Sequence, residues 1–483
     1  MRTSKDRKRV GGLGAAAVGL AALGSGEVVA AVGGASLIDA IGRTLTDTAP
    51  LRVVETTVEL TGRHDKTVIR FGTVAGALAG AVGLAGLPAR WHVAAAATFG
   101  AGAGALGLRQ ANRSAWISAG AVAAAGVLAA GLRTRPRGPL AALALGAAGT
   151  GLLAAAHNLN RDHDRKQRSA IRRIGAMGNP AVTPEDGLED EPGLSALITP
   201  EHKFYVADVS PHPPRVDPAR WRLAVTGMVA HPLRLSLADL AADAVEFDAV
   251  LVCVHNRPGQ GRVANARWVG VPLADLLRHV IPASGATRLV TRAVDGYTIS
   301  LPVEPLRSGE LPGYLVIGMN GEPLSPTHGF PARVIVPGLY GQYTGAKWLA
   351  ELELTDDSHV DYWWKRGWTS EPLWVEPQAR IDVAAPGRES AGTTVVAGVA
   401  WAPPAGVAEV EVSVGGGAWQ TTKLADELAP ATWRRWRTTL ELPPGRHTIR
   451  ARVVGRSGAV QTGENRPPYP SGPGGFHAVT VEI

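Results

Sequence analysis

Apolar and polar positions alternate with different periods along three stretches of the chain. Residues 1–158 hold long apolar runs, built mainly of Ala, Gly, Leu and Val and separated by short basic loops. Beyond about residue 200 the apolar runs are short and are interrupted by Gly, Pro and polar turns. Long apolar runs are typical of helices in lipid, whereas short alternating runs are typical of strands. The pattern therefore predicts a helical N-terminal part followed by a β-rich remainder.

Five apolar segments in the first stretch are close to the length that crosses a bilayer as a helix. They span about 10–34, 68–87, 91–108, 114–132 and 139–157. Their many small residues allow close helix packing in lipid, and the basic "RTSKDRKR" favours a cytoplasmic N-terminus. We therefore expect residues 1–158 to form a bundle of about five transmembrane α-helices of a multi-pass cell-membrane protein. Counting the crossings then places everything after about residue 160 on the extracytoplasmic side.

The middle of the chain mixes strand and helix patterns after a polar stretch. Residues 159–199 are polar and are predicted to be a linker. In "WRLAVTGMVAHPLRLSLADL" an alternating strand leads through a turn to a short helix, for which Ser236 is a suitable N-cap. "RWVGVPLADLLRHV" repeats the strand-to-helix step, with Leu273, Leu276 and Leu277 on one helical face. Strands and short helices follow one another without a regular βαβ alternation. Residues 200–375 are therefore predicted to form an α+β domain.

The last stretch, residues 376–483, has the pattern of a β-sandwich. Short runs such as "TTVVAGVAW", "VAEVEVSVGGGAW" and "HTIRARVVG" recur at roughly regular spacing and are divided by Gly and Pro. This spacing is typical of antiparallel immunoglobulin-like sandwiches. The stretch has no cysteine, so the prediction concerns the all-β architecture and not an antibody-type disulfide.

The net charge of +7 raises the question of a nucleic-acid partner. The basic residues, however, gather in loops beside the apolar segments, such as "RTRPRG" and "RDHDRKQRSAIRR", and no nucleic-acid recognition motif is present. We therefore expect the chain to bind no nucleic acid.

Cys253 is the single cysteine among 483 residues. One cysteine cannot form an intrachain disulfide, a four-cysteine zinc site or an iron–sulfur cluster. Three interpretations remain open from the residues alone: a buried apolar filler, a reactive nucleophile, or a single thiolate ligand of a cofactor.

Three motifs resemble those of one family. They are "CVHN" with "NARWVGVPLADLL", then "DGYTISLP", and above all "HGFPARVIVPGLYGQYTGAKWLAELEL". Together they resemble the sulfite oxidase family of molybdopterin-dependent oxidoreductases over about residues 200–483, where the sandwich is similar to that family's dimerisation domain. The apolar N-terminus resembles the membrane-attached actinobacterial branch. The resemblance implies a sulfite-oxidase-type α+β domain that binds a molybdenum–molybdopterin cofactor with one pterin.

The resemblance assigns roles to individual residues. Cys253 matches the cysteine that supplies the family's thiolate to molybdenum. Matches to positions that contact the pterin or its phosphate are His202, Phe204, Tyr205, Asn256, His328, Arg333, Thr344 and Lys347. Tyr297 matches the tyrosine near the exchangeable oxygen, and Arg267 and Arg257 are candidates for meeting an oxyanion. The arginine in "CVHNRPGQG" departs from the family pattern, so it is either an aid to anion binding or an exposed loop charge.

The implied activity is oxygen-atom transfer on a small oxyanion or a sulfoxide, in either direction. Electrons are then expected to pass to a separate carrier, a cytochrome or a quinone-linked protein, and the sandwich provides for a possible homodimer. The competing hypothesis is a cofactor-free membrane receptor or adhesion protein that binds its partner through the sandwich. It predicts a purified protein without molybdenum and leaves the Cys253 and Arg333 motifs unexplained.

Overall fold

The computed structural model describes residues 37–50, 71–76, 139–178, 185–210, 212–344, 346–387 and 393–483, with scattered single positions between 20 and 68. The chain divides into two compact units. The first is Met1–Ala170 with Asp208–Arg215, and the second is Ile171–Ala207 with Val216–Ile483. All of the site residues predicted above belong to the second unit.

The structure describes the course of two α-helices in this part of the chain, α1 (Leu37–Thr48) and α2 (Pro139–Arg172), the latter ending just beyond the first unit. Proline at the first position suits the start of α2, because the first amides of a helix have no intrahelical acceptor. Within this unit the Arg215 guanidinium bonds the Asp164 carboxylate, with an Nη2–Oδ1 distance of 2.9 Å.

The predicted transmembrane bundle is wrong for the part of the chain that the structure describes. None of the helices there is both long and apolar enough to cross a bilayer. The reason is visible in α2, whose second half, "NRDHDRKQRSAIR", is strongly charged and whose first half is largely Ala and Gly, which bury little apolar surface. Two predicted spans, 91–108 and 114–132, lie outside the described residues, as do most of 10–34 and 68–87. The same finding contradicts the predicted multi-pass membrane localisation with an extracytoplasmic catalytic domain.

The second unit consists of four sheets with three short α-helices. The strands of the first half are β1 (Leu223–Gly227), β2 (Leu233–Leu235), β3 (Val245–Val252), β4 (Val263–Pro272), β5 (Arg288–Ala293), β6 (Thr298–Pro302), β7 (Tyr314–Met319), β8 (Glu322–Pro323), β9 (Arg333–Ile335) and β10 (Leu349–Thr355). The helices are α3 (Leu237–Ala242), α4 (Leu273–Val280) and α5 (Val303–Ser308). The strands of the second half are β11 (Gln378–Pro386), β12 (Thr393–Trp401), β13 (Val407–Val414), β14 (Gln420–Thr421), β15 (Lys423–Leu424), β16 (Arg434–Glu441), β17 (Arg446–Gly455) and β18 (His477–Glu482).

The first half is the predicted α+β fold. One sheet has the order β2-β1-β10-β5-β6, and the other has the order β3-β4-β7-β8 with β9 on β7. Only the β1–β10 pair among these is parallel. Ser236 caps α3 as predicted, in a reciprocal capping box with Asp239. In α4 the predicted apolar face of Leu273, Leu276 and Leu277 is buried.

The second half agrees with the predicted β-rich architecture. Its sheets have the orders β11-β12-β16-β15 and β14-β13-β17-β18. Their facing side chains form one apolar core around Trp436, with Val396, Val410 and Val453 among its fully buried members. This half is called the sandwich below.

Residues 185–198, which we call the strap, lie along the sandwich. Polar contacts join the two at several points. Arg435 pairs with Asp186, the Arg437 guanidinium donates to Glu191 over 2.8 Å, and the Ser195 amide donates to Asp382 over 3.1 Å. The Trp433 indole then donates to the Leu197 carbonyl over 3.0 Å. The strap thus leads the chain to a fixed starting point for the residues that follow it.

Candidate active site

Cys253 directly follows β3 and begins a tight loop that ends at β4. Its amide donates to the Arg262 carbonyl over 2.9 Å, and its carbonyl accepts from the Asn256 amide over 2.9 Å. The Asn256 side-chain oxygen accepts from the Arg262 amide over 2.8 Å, so an asparagine closes the loop from within. Among the residues that the structure describes, no group accepts a hydrogen bond from the buried Nδ2 of Asn256. The loop therefore holds the cysteine in place and leaves one buried donor, Asn256 Nδ2, available to a bound ligand.

The surroundings of the Cys253 thiol act on its pKa in opposite directions. Burial raises the pKa, because a charged sulfur is poorly solvated there. The His255 backbone N–H and the Arg262 charge oppose the rise. The thiolate, which is the form that binds metals, thus has a hydrogen-bond donor and a cation already in place.

Aromatic side chains form one wall beside this loop. The Phe204 ring stacks on Tyr205 at 5.5 Å and meets the edges of Trp268 at 5.7 Å and His328 at 5.4 Å. Burial and the nearby Cys253 charge raise the pKa of Tyr205 well above its usual value, whereas the Arg333 charge lowers it. These mutual effects place the phenol, the thiol and the guanidinium in one neighbourhood.

Gly341 joins this wall to the end of β3. Its amide donates to the Val252 carbonyl over 2.8 Å, immediately before the cysteine. A Cβ on Gly341 would lie 3.4 Å from the Tyr205 hydroxyl. The absence of a side chain therefore keeps this loop close to both Tyr205 and the cysteine strand.

Two cations are brought together by the "HGFPAR" turn. The Arg333 guanidinium donates to the carbonyl of buried His328 over 3.2 Å, and Lys347 Nζ donates to the Thr327 carbonyl over 2.8 Å. Gly329 lies between them with φ of 113°, a conformation that favours glycine, and a Cβ there would approach both Arg333 and Lys347 at 3.2 Å. The glycine thus lets the side-chain stems of Arg333 and Lys347 pack against this turn, where the two cations bond neighbouring carbonyls.

Thr344 and Tyr297 are placed by the loop that carries Gly341. Thr344 is fully buried, and its hydroxyl donates to the Gly341 carbonyl over 3.2 Å. The Tyr297 hydroxyl accepts from the Trp363 indole over 2.9 Å and donates to the Gln342 carbonyl over 3.4 Å. Burial raises the pKa of Tyr297, so the phenol keeps its proton at neutral pH.

Three of the predicted residues have other surroundings. The Arg267 guanidinium bonds the Asp248 carboxylate at 3.0 and 3.1 Å, because the two residues face each other across β3 and β4. Its hydrogen-bonding capacity is largely used by this cross-strand pair. His202 is exposed on the short 3-10 helix Glu201–Lys203, and Arg257 is half-buried in the cysteine loop.

Comparison with known proteins adds the family. The sequence profile of the oxidoreductase molybdopterin binding domain matches residues 210–363. An uncharacterized oxidoreductase of Bacillus subtilis, YuiH, is 33% identical over 153 residues, which are 32% of this chain and 74% of that protein. The chain belongs to the molybdopterin-binding oxidoreductase family. It is therefore an oxidoreductase.

More distant relatives of this molybdopterin oxidoreductase include human mitochondrial sulfite oxidase, which is 28% identical over 300 residues, or 52% of this chain and 54% of that protein. The chain thus spans about half the length of that relative. The crystal structure of the sulfane dehydrogenase SoxCD from Paracoccus pantotrophus has a TM-score of 0.52 at 21% identity, covering 64% of this chain and 89% of that chain. At this identity the likeness concerns the fold.

Sequence reasoning missed residues that position the predicted ones. Asp361 is fully buried and accepts from the Ser300 amide and hydroxyl at 2.8 and 2.7 Å, which fixes the residues leading to Trp363. Asn265 is also fully buried, and its side chain bonds the Leu197 carbonyl and the Trp433 amide. Their partners are distant in sequence, so no local pattern indicates them. Asn265 stands inside the quoted "NARW" motif, which is the one signal that could have drawn attention to it.

Proposed function

We propose that this molybdopterin oxidoreductase transfers an oxygen atom to or from a small oxyanion or sulfoxide and exchanges electrons with a separate carrier. The observation that carries the proposal is the convergence of Cys253, Tyr205 and Arg333. The Tyr205 phenol lies where the single thiol of the chain, Cys253, and the Arg333 guanidinium both act on it electrostatically. The proposal therefore adopts the third interpretation of Cys253, in which the cysteine is a single thiolate ligand of a cofactor.

The residues present fit a flat pterin that ends in a phosphate. Phe204, Tyr205 and His328 offer aromatic faces and edges, and the buried Nδ2 of Asn256 offers a donor. Arg333 and Lys347 would hold the phosphate, since guanidinium and ammonium groups are the usual phosphate partners. Thr344 lies in the loop that carries Gly341, and its hydroxyl group is proposed to lie near the cofactor.

Cys253 would be the protein ligand of the molybdenum. A thiolate is the kind of soft ligand that such a metal accepts. When bound, the cofactor supplies two-electron oxygen-atom transfer. The protein's own part is to hold the Cys253 sulfur in place, and the His255 N–H and the Arg262 charge partly oppose the rise in its pKa that burial causes.

Tyr297 is proposed to hold a proton beside the substrate oxygen. The Trp363 indole donates to its oxygen over 2.9 Å, and the phenol's own proton is held by the long 3.4 Å contact with the Gln342 carbonyl, which a substrate oxygen would replace. Because its pKa is raised, the phenol remains a donor across the neutral range. Arg257, in the cysteine loop, is proposed to attract an anionic substrate, whereas the ion pair of Arg267 with Asp248 suits it better to holding β3 against β4.

Electrons are proposed to leave through a separate cytochrome or quinone-linked protein, because one cysteine provides no thiolate set for an iron–sulfur cluster. The homodimer through the sandwich and the actinobacterial branch stay predictions from the sequence.

The proposal is tested by metal and pterin analysis of the purified full-length protein. We expect one molybdenum and one pterin per chain, and turnover of sulfite, nitrate or a sulfoxide with an artificial electron carrier. An oxidised carrier tests substrate oxidation, and a reduced carrier tests reduction. Protein expressed in a host that makes the cofactor, yet purified without molybdenum or pterin, would overturn the proposal and favour the cofactor-free binding protein.

A further inference from the structure

The outer turn of the cysteine loop (residues 253–262) lies against the sandwich. The Arg380 guanidinium, on β11, donates to the Gln260 carbonyl over 3.3 Å. Gly259 has a φ of 84°, and a Cβ at this position would overlap the imidazole ring of His477, the first residue of β18. Two strands of the sandwich therefore contact the turn that follows the single cysteine of the chain.

The three nitrogens of the Arg380 guanidinium have separate partners. Nε donates to the Asp382 carboxylate over 2.6 Å, Nη2 donates to the Ser195 hydroxyl over 2.7 Å, and Nη1 makes the bond to Gln260. The Asp382 carboxylate also accepts from the Ser195 amide over 3.1 Å. Because the guanidinium is planar and buried, these bonds fix its orientation. One side chain thus joins the sandwich, the strap and the cysteine loop.

Hydrogen bonds inside the loop connect Gln260 to Cys253. The Gln260 amide donates to the Arg257 carbonyl over 3.0 Å, and Arg257 directly follows Asn256. The Asn256 side chain accepts from the Arg262 amide over 2.8 Å, and the Arg262 carbonyl accepts from the Cys253 amide over 2.9 Å. A displacement of the Gln260 carbonyl therefore disturbs a bonded turn that ends at the cysteine.

The composition of this turn favours support from outside the loop. Gln260 stands between Gly259 and Gly261, and a Cβ at Gly261 would meet no heavy atom within 4 Å. Glycine has the largest backbone freedom of any residue, so fixing a Gly-rich turn in one conformation costs more entropy than fixing another turn. The Arg380 bond and the His477 ring, both on strands of a packed sandwich, offset part of this cost.

We infer that Arg380 is a positioning residue, through which the sandwich holds the cysteine loop in the conformation that presents the Cys253 sulfur. The inference rests on the proposed function in one respect, since it takes Cys253 to be the ligand of the cofactor. It gives the sandwich a part in the reaction, in addition to any role in joining two chains.

The single cysteine makes the loop directly measurable. In the purified full-length chain from a host that makes no molybdenum cofactor, alkylation by iodoacetamide at fixed pH reports on Cys253 alone. Arg380→Gln loses the bond to the Gln260 carbonyl and should be alkylated about fivefold faster than the wild type, or more. Arg380→Lys keeps the charge and a donor, so its rate should lie between the two. Arg450→Gln, the matched change at an exposed position of β17, should keep the wild-type rate.

Urea separates a local movement of the loop from a general loss of stability. Displacement of one loop exposes little surface, so below the unfolding transition the alkylation rate of Arg380→Gln should hardly depend on urea. Reaction through the unfolded state would instead accelerate steeply, in proportion to the unfolded population. A wild-type alkylation rate in Arg380→Gln, or an acceleration that follows the unfolding curve, would overturn the inference.

A second pair of variants tests the same contact and leaves the Arg380 ion pair intact. Gly259→Ala should displace the turn from His477 and raise the alkylation rate, because the added methyl group overlaps the imidazole ring. His477→Ala makes room for that methyl group, so Gly259→Ala should raise the rate by a smaller factor in this background. Equal factors in the two backgrounds would overturn the inference, because the turn would then not rest on the sandwich.

Measurements on the cofactor-loaded protein connect the contact to the reaction. Arg380→Gln from a host that makes the cofactor should keep its molybdenum and pterin content, since Arg333 and Lys347 are unchanged, while turnover per molybdenum falls about tenfold. Unchanged turnover per molybdenum would also overturn the inference. A wild type that contains no molybdenum would overturn the proposed function, whereas the alkylation rates, measured without cofactor, would still decide whether Arg380 holds the loop.

Discussion

The site-bearing half of the second unit and the sandwich bury their side chains in different ways. In the sandwich, Trp436, Val410 and Val453 fill a core that needs nothing more than apolar contact. Its unpaired groups include the indole N–H of Trp401 and of Trp436, single donors on large apolar rings. Around the cysteine loop, within the described part of the chain, the unpaired buried donors include the side-chain amide of Asn256 and the indole N–H of Trp368 beside His255. Both halves thus hold unpaired buried groups, but the one inside the cysteine loop is a side-chain amide next to the single thiol.

The Cys253→Ala variant is the most severe test of the difference between the site-bearing half and the sandwich. We expect turnover to fall by on the order of 10³-fold or more, equivalent to about 4 kcal/mol of activation free energy, because the metal loses its protein ligand. Unfolding should change little, since the removed group is small. Cys253→Ser, which keeps the size, serves as the control for packing. Near-normal turnover in an Ala variant with full molybdenum content would contradict the assignment.

Trp436→Ala should have the opposite effect, a large loss of stability without a loss of turnover. The side chain is fully buried in the sandwich core, so its removal should lower the free energy of unfolding by about 3–5 kcal/mol, measured by urea denaturation. Turnover per molybdenum should remain unchanged well below the melting temperature. Trp419→Ala, at a half-buried position of the same half, should destabilise less. Equal effects of the two substitutions would mean that the core is not where the stability of the sandwich originates.

Arg333→Ala and Lys347→Ala test the phosphate assignment with a smaller effect. Each removes a charge-assisted contact worth about 1.5–3 kcal/mol, so pterin and molybdenum content should fall more than turnover per molybdenum. Lys423→Ala, on a short strand of the sandwich, is the matched control and should keep full occupancy. Unchanged cofactor content in both site variants would count against the phosphate role.

The smallest effect is expected at His477, where β18 of the sandwich meets β11. Its Nδ1 accepts from the Ile381 amide over 3.0 Å, and burial followed by the Arg380 charge lowers its pKa below the usual 6.5. The folded protein therefore binds this proton less readily than the unfolded chain does. Stability should be full above about pH 6.5 and should decrease as the pH falls below it.

His477→Gln checks this sign, because glutamine can accept the same hydrogen bond without titrating. Urea denaturation of both proteins across that pH range should give a flatter dependence for the variant. An identical pH dependence in the two proteins would show that other groups govern it.

The sequence predicted what is local. The cap at Ser236, the apolar face of α4 and the strands of the sandwich follow from residues a few positions apart, and they agree with the structure. The convergence of Cys253, Tyr205 and Arg333 was reached through a family resemblance, since these residues are distant in the chain.

Other features depended on contacts that no spacing reveals. The partner of Arg267 is Asp248, across a strand pair, and the partners of the buried Asn265 side chain are Leu197 and Trp433, far away in the chain. The membrane prediction failed at α2 because an Ala- and Gly-rich run has the length of a span without comparable apolar surface, and charged residues complete the helix.

The strap has a consequence for the order of synthesis. Asp186 leaves the ribosome 249 residues before its partner Arg435, and Glu191 precedes Arg437 by 246. At a synthesis rate of about 5–20 residues per second, roughly 12–50 seconds pass between the synthesis of each carboxylate and that of its guanidinium partner. During this interval Phe204 and Tyr205, which follow the strap, lack their fixed starting point. The proposed cofactor site of a nascent chain is therefore completed only after most of the sandwich has been synthesised.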